Sequence, residues 1–187
     1  MKSFSTPSDI ELVKRAKQGD HAAFRMLVHR HEHQVRSIVI GMLGNTAESD
    51  DVAQEVFIRF YRSLGDFRGE AALSTYLSRI AINLSLNEIK RRDTRHKRLA
   101  FFHGNEMPTE EADNGVDPER HDIRDAVHKA LQLLEPDFRM VIVLRLIDGY
   151  SVKETADILQ LPQGTVASRL ARAQEKLKDI LKKWNIV

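Results

Sequence analysis

There is no cysteine among the 187 residues of this chain. Its absence excludes disulfides, thiolate zinc sites and cysteine nucleophiles, and is compatible with a reducing cytoplasm. Met1 to Ile10 is polar, without the apolar centre of a secretory signal. No apolar run approaches the roughly 20 residues needed to span a bilayer. Membrane insertion is therefore not expected, and a cytoplasmic location is. Catalytic machinery is missing as well: no nucleophile–base pair or glycine-rich phosphate loop stands out. His29, His31 and His33 do not make a metal site, because on a helix His29 and His33 share a face while His31 points away. No third ligand is evident, so no metal, cofactor or catalytic residue is expected. Strand-like alternation, internal repeats and low-complexity tracts are absent too.

What is present is helical. Hydrophobic residues make up 42% of the chain and charged residues 30%, enough apolar side chain for compact cores. Phe24, Leu27, Val28, His31, Val35, Ile38, Val39 and Met42 recur at three- and four-residue steps and share one face of a long helix. Gly19-Asp20 separates it from a short helix holding Ile10, Leu12, Val13 and Ala16. Gly44-Asn45-Thr46 ends it, with Asn45 or Thr46 able to cap the next helix. That third helix carries Val52, Val56, Phe60 and Leu64 inward, with Glu48, Asp50 and Asp51 at its positive end. After a turn at residues 65–69, the pattern predicts a fourth helix from about Ser74 to Arg92.

Charge alternates along the chain although the net is only +2. Residues 88–98 hold six Lys/Arg and two acids; residues 104–122 hold seven acids and one arginine; residues 162–187 hold six bases and two acids. A nucleic-acid partner survives the bland total. The acidic stretch, interrupted by Pro108, Gly115 and Pro118, is expected to be a flexible linker. The expected organisation is all-α: two small helical domains, 1–96 and 122–187, joined by an acidic linker at 97–121.

In the second block, Val127, Ala130, Leu131 and Leu134 form one apolar face, stopped by Glu135-Pro136. Phe138, Val141, Ile142, Leu144 and Leu146 form another, stopped by Asp148-Gly149. Ser151-Val152-Lys153-Glu154 is a capping box that opens a short helix. Leu161-Pro162-Gln163-Gly164 breaks the chain before a helix reaching about Trp184, with Val166, Leu170, Ala173, Leu177 and Leu181 inward. Thr165, Ser168, Arg169, Arg172, Lys176 and Lys178 face outward. Two helices, a tight turn and a basic outer face form a helix-turn-helix suited to the major groove.

Three segments in this order resemble the sigma-70 family of bacterial RNA polymerase sigma factors. Asp50-Asp51-Val52-Ala53-Gln54-Glu55-Val56-Phe57-Ile58-Arg59 resembles the region that docks on the polymerase clamp helices. Phe67-Arg68-Gly69 followed by Ser74 to Asn83 is similar to the region that opens and reads the minus-ten element. Gly149 to Leu170 is similar to the region that binds the minus-thirty-five element. The short chain, with no room for further domains, resembles the extracytoplasmic-function (ECF) group.

The resemblance implies roles. Asp51, Gln54, Glu55, Arg59 and Tyr61 would meet the polymerase. Arg68, Ser74, Thr75, Tyr76, Arg79, Asn83, Asn87, Arg91 and Arg92 would meet minus-ten DNA, and Tyr76 stands where many relatives carry tryptophan. Unstacked bases need aromatic support; equally, Tyr76 fits a core aromatic. Lys153, Thr165, Ser168, Arg169 and Arg172 would meet minus-thirty-five DNA, but Ala167 and Ala171 depart from common family choices. The implied partners are core RNA polymerase (clamp helices and flap), promoter DNA and an anti-sigma factor. The residues alone also fit a stand-alone operator-binding dimer or a helical polymerase adaptor.

Overall fold

A computed structural model describes residues 7–102 and 123–186. The expected linker falls mostly outside these residues. Within them the chain is helical, without strands: α1 (Asp9–Lys17), α2 (His21–Leu43), α3 (Ala47–Arg62), α4 (Leu73–Phe102), α5 (Ile123–Gln132), α6 (Pro136–Ile142), α7 (Val152–Leu159) and α8 (Gln163–Lys183). A π-helical segment, Val143–Ile147, continues α6.

Helix boundaries follow local chemistry. Ser8 and Glu11 close a capping box on α1, and the Asp20 carboxylate accepts from the Ala23 N–H at the start of α2. Both carboxyls are held below the usual range, chiefly by those backbone hydrogen bonds. Gly44, with φ of 83°, ends α2 in a conformation costly to other residues. Thr46 precedes α3 but donates no side-chain cap; its hydroxyl pairs with Ser49 at 3.1 Å instead.

The first block packs α1 and α3 on α2, with α4 against both α2 and α3. Leu12, Leu27, Ile38, Met42, Val56, Phe60 and Leu77 are the large residues at its centre, all essentially inaccessible. Each such side chain contributes about 1.5–3 kcal/mol by burial. The inward residues expected on α2 and α3 are there, whereas Ile10 is 74% exposed.

In the second block, Leu131, Leu134, Ile142 and Ala173 form a small core, joined by Val127, Phe138, Leu170 and Leu177. Met140, Val141, Val143, Leu144 and Tyr150 belong to the same apolar cluster as the first block's Val35, Ile38 and Leu77. The two helical domains therefore lie packed together. Gly41 leaves room for Val143 in this contact: a Cβ there would lie 2.7 Å from Val143 Cγ2.

Candidate nucleic-acid and polymerase interface

Along α3, Asp51, Gln54, Arg59 and Tyr61 are exposed and Glu55 is half-buried. Glu55 accepts from Arg59 Nε at 3.0 Å across one helical turn. Tyr61 is held in place by an edge contact with Phe24 (4.9 Å between centroids) and by His21 stacked beside it. The stripe contains one residue that sequence reasoning passed over, Ile58, 44% exposed between Gln54 and Arg62. Its signal was legible: residues 51, 54, 55, 58 and 62 follow the same helical spacing as the inward Val52, Val56 and Phe60. An exposed apolar side chain inside a charged stripe suits a protein partner better than solvent.

The segment expected to meet minus-ten DNA divides into three environments. Arg68 is exposed in the turn before α4. Tyr76 is half-buried against Phe60 and Phe67, with centroids 6.0 and 5.0 Å away, and its hydroxyl pairs with Ser63 Oγ at 3.0 Å. It thus braces the turn from within. Thr75 is buried and Ser74 half-buried. Farther along α4, Asn83, Asn87 and Arg91 are exposed, and Asn87, Lys90, Arg91, Thr94, Arg95 and Arg98 line one shallow basic surface. Arg91 also pairs with Glu88 at 2.8 Å.

Arg92 faces another way. Its guanidinium donates to the Leu43 carbonyl at 3.2 Å and the Thr46 hydroxyl at 3.3 Å, bridging the end of α2 to the start of α3. Arg79 donates to the Asp157 carbonyl on α7 at 2.7 Å. Both side chains are engaged within the protein.

The helix-turn-helix consists of α7 and α8. Glu154 accepts from the Ser151 N–H at 2.8 Å while the Ser151 hydroxyl accepts from the Glu154 N–H at 3.1 Å. The Ser151 bonds hold the Glu154 carboxyl below its usual range. Gln160 turns the chain with a left-handed φ of 54°, and Thr155, Ala156 and Val166 are buried where the helices cross. Pro162 sits at the N-cap of α8, one position before the helix proper. Lys153, Ser168 and Arg172 are exposed; Thr165 and Arg169 are half-buried. The Ser168 hydroxyl is turned back on the Thr165 carbonyl at 3.1 Å. Arg169 pairs with Asp137 of α6 at 3.1 Å, and Lys176 with Glu135 at 2.6 Å, so α8 is tied to α6 along its flank.

The three neighbouring histidines meet different partners: His29 pairs with Glu32 (2.9 Å), buried His31 with Asp9 (2.8 Å), and His33 faces Asp148. Burial, against a bond from Ser37 and the His33 charge, pushes the Asp148 carboxyl up to about 6. Arg139 is buried with its guanidinium on the carbonyls of Met42, Gln132 and Leu134 and on the Gln132 side-chain oxygen, and burial lowers its pKa to about 10. Neither the Asp148 shift nor the Arg139 contacts carried a sequence signal, because each depends on a neighbour far along the chain.

Residues 27–95 match the family Sigma-70 region 2, and residues 124–177 match Sigma-70, region 4. The chain is 36% identical to the RNA polymerase sigma-H factor of Pseudomonas aeruginosa, over 92% of this chain and 93% of that one. It is 36% identical to the ECF RNA polymerase sigma-E factor of Escherichia coli K12, with the same coverage. Among solved structures, CnrH in complex with the cytosolic domain of CnrY matches with a TM-score of 0.68 and 28% identity, over 94% of this chain and 97% of that one. The sigma factor RpoE of Bartonella quintana, at 23% identity and a TM-score of 0.67 over 85% of this chain and 96% of that one, shares the fold. The chain belongs to the extracytoplasmic-function group of the sigma-70 family and is an RNA polymerase sigma factor, a non-catalytic factor of transcription initiation. Among the described residues, no helix is long and apolar enough to cross a membrane.

Proposed function

We propose that this sigma factor docks on core polymerase through the exposed stripe of α3, reads the minus-ten element with α4 and the turn before it, and reads the minus-thirty-five element with α8. Asp51, Gln54, Glu55, Ile58, Arg59 and Tyr61 make the polymerase contact. Charged and amide groups set its orientation, and Ile58 supplies an apolar anchor. Arg68, Asn83, Asn87 and Arg91 meet the minus-ten DNA, while Lys153, Ser168 and Arg172 meet the minus-thirty-five DNA. Tyr76 acts from beneath, holding the turn in shape. The organisation is a first domain that ends with α4, a linker, and a second domain that opens with α5, working in the cytoplasm and performing no covalent chemistry itself.

The carrying observation is the joint exposure, on one chain, of a mixed polar stripe on α3 and a basic helix-turn-helix face. A relative of this fold, CnrH, was solved with the cytosolic domain of CnrY. We further propose that this chain binds an anti-sigma protein that restrains it.

The test is in vitro transcription with sigma-free core polymerase on genomic DNA, comparing wild type with Gln54→Ala/Glu55→Lys. Wild type is expected to give specific initiation and the double variant to lose at least about tenfold, as charge reversal at a docking surface does. Equal activity of the two would remove α3 as the docking element.

A further inference from the structure

The turn between α3 and α4 is held from outside by the first helix of the chain. Lys17, the last residue of α1, donates from its ammonium to the Gly65 carbonyl at 3.0 Å and to the Phe67 carbonyl at 2.7 Å. These acceptors lie 48 and 50 positions farther along the chain and flank Asp66. Their oxygens converge on one point, which a cation with several donors satisfies and an apolar side chain does not. The point also lies just beyond the C-terminal end of α3, where the helix dipole favours positive charge.

α1 is a fixed platform for that reach. Leu12, Val13 and Ala16 bury one of its faces. At its start, Asp9 pairs with Arg30 of α2 at 2.5 Å and with His31 at 2.8 Å, and Arg30 donates to the Pro7 carbonyl at 2.9 Å. At its end, Arg15 donates to the Asp20 carboxylate at 2.7 Å, across the link to α2. The turn is gripped from within as well: the Phe67 ring stands edge-on to Phe60 and Tyr76, and the Phe67 N–H donates to the Ser63 carbonyl at 3.2 Å. The next residue, Arg68, is exposed, and Gly69 redirects the chain with φ of 72°.

We propose that Lys17 is a positioning residue for promoter opening: it fixes the turn at residues 65–69 in the shape that presents Arg68 to the minus-ten element. The inference rests on the role proposed above for that turn. A surface that receives bases leaving the stack is best shaped beforehand, because ordering a loop at that moment adds to the barrier. Lys17 is exposed, and exposed charged contacts add little to global stability. Its effect therefore falls on the placement of a short loop and on the opening step, not on folding or polymerase docking.

The test compares full-length wild type, Lys17→Met, Lys17→Arg and Arg68→Ala in holoenzyme, on one promoter recovered from the genomic transcription above. Each protein meets that promoter as duplex and as the same template with its minus-ten region mismatched, so that it is already open. Permanganate reactivity of unpaired thymines reads opening, and transcript yield reads initiation. Lys17→Met is expected to open the duplex roughly tenfold more slowly, as the loss of bonds to a charged donor does. On the premelted template it is expected to initiate as wild type does, with an unchanged urea midpoint. Lys17→Arg, which keeps a cation with several donors, is expected to restore opening; an arginine variant as slow as the methionine one would overturn the proposal. Equal loss by Lys17→Met on both templates would also overturn it, making Lys17 a contributor to the fold or to docking. Normal opening by Lys17→Met beside slow opening by Arg68→Ala would sink the positioning role and leave the turn's role standing. Normal opening by both would remove the turn from minus-ten recognition, and the proposal with it.

Discussion

Asp148 shows how one residue can be set against its own fold. It follows the π-helical segment, and its Oδ2 is buried without a partner, while Ser37 bonds the carboxyl and His33 faces it from α2. Its folded pKa of about 6 lies above the ordinary 3.8. The folded state therefore holds the proton more tightly than the unfolded chain. Stability from this group is complete below about pH 4 and is lost as pH rises to about 6. At neutral pH the ionised carboxylate is a cost. Asp148→Asn is expected to raise stability at pH 7.5 by about 1–2 kcal/mol, since a half-buried group is partly screened, and to change little at pH 4. Urea unfolding of both proteins at the two pH values checks this. The difference between them isolates Asp148 from Glu11, Asp20, Glu48 and Glu154, whose carboxyls shift downward and titrate with the opposite sign. A variant no more stable at pH 7.5 would show that water reaches the carboxylate. The sequence marked Asp148-Gly149 as a helix stop, and that is what local chemistry can mark. A pKa needs the neighbours.

At the scale of elements, capping and periodicity carried most of the information. The Ser151–Glu154 box, the Asp20 start of α2 and the inward faces of α2 and α3 depend on residues within four positions of one another, so the sequence states them directly. The fourth helix was misjudged in length. It was expected to end near Arg92 and runs to Phe102, ten residues farther. The basic run at 90–98 contains no glycine or proline, and its arginines and lysines favour helix. Composition marked the stretch as the approach to a linker, and the helix simply continued. The π-helical segment after α6 also escaped notice, since its i to i+5 bonding leaves no periodic trace in five residues. For α8, outward position was legible but engagement was not. Arg172 is exposed, whereas Arg169 is committed to Asp137. Arg172→Ala is therefore expected to weaken holoenzyme binding to promoters evenly across sequences. The slope of log affinity against log salt should fall in magnitude by about one. A salt titration of promoter binding reads this; an unchanged slope would remove Arg172 from the phosphate contacts.

For the whole molecule, the decisive feature is that one apolar cluster runs through both blocks. Gly41 lies against Val143 in this contact, and any larger side chain meets it. Gly41→Leu is expected to keep α2 intact, because leucine favours helix over glycine, while wedging the blocks apart. Small-angle X-ray scattering should show a larger radius of gyration than wild type at equal helix content. An unchanged radius would mean that the blocks accommodate the wedge and that Gly41 does not set their approach.

By itself, the sequence determined the all-α class, the two helical blocks, the capping box that opens α7, the helix-turn-helix and the resemblance of α3, α4 and α8 to sigma-factor regions. Those properties rest on spacings within a helix turn or on short motifs, which physics reads locally. Only the tertiary structure decided which charged residues stay free. Arg79, Arg92, Arg139 and Arg169 look alike on the page as basic residues of basic or amphipathic helices. Each is engaged by a carbonyl, hydroxyl or carboxylate that another element brings to it. The pairing of the blocks was equally hidden. Val141 and Leu144 read as part of the second block's own apolar face, and packing placed them in one cluster with the first block, because apolar side chains encode burial but not the surface that buries them.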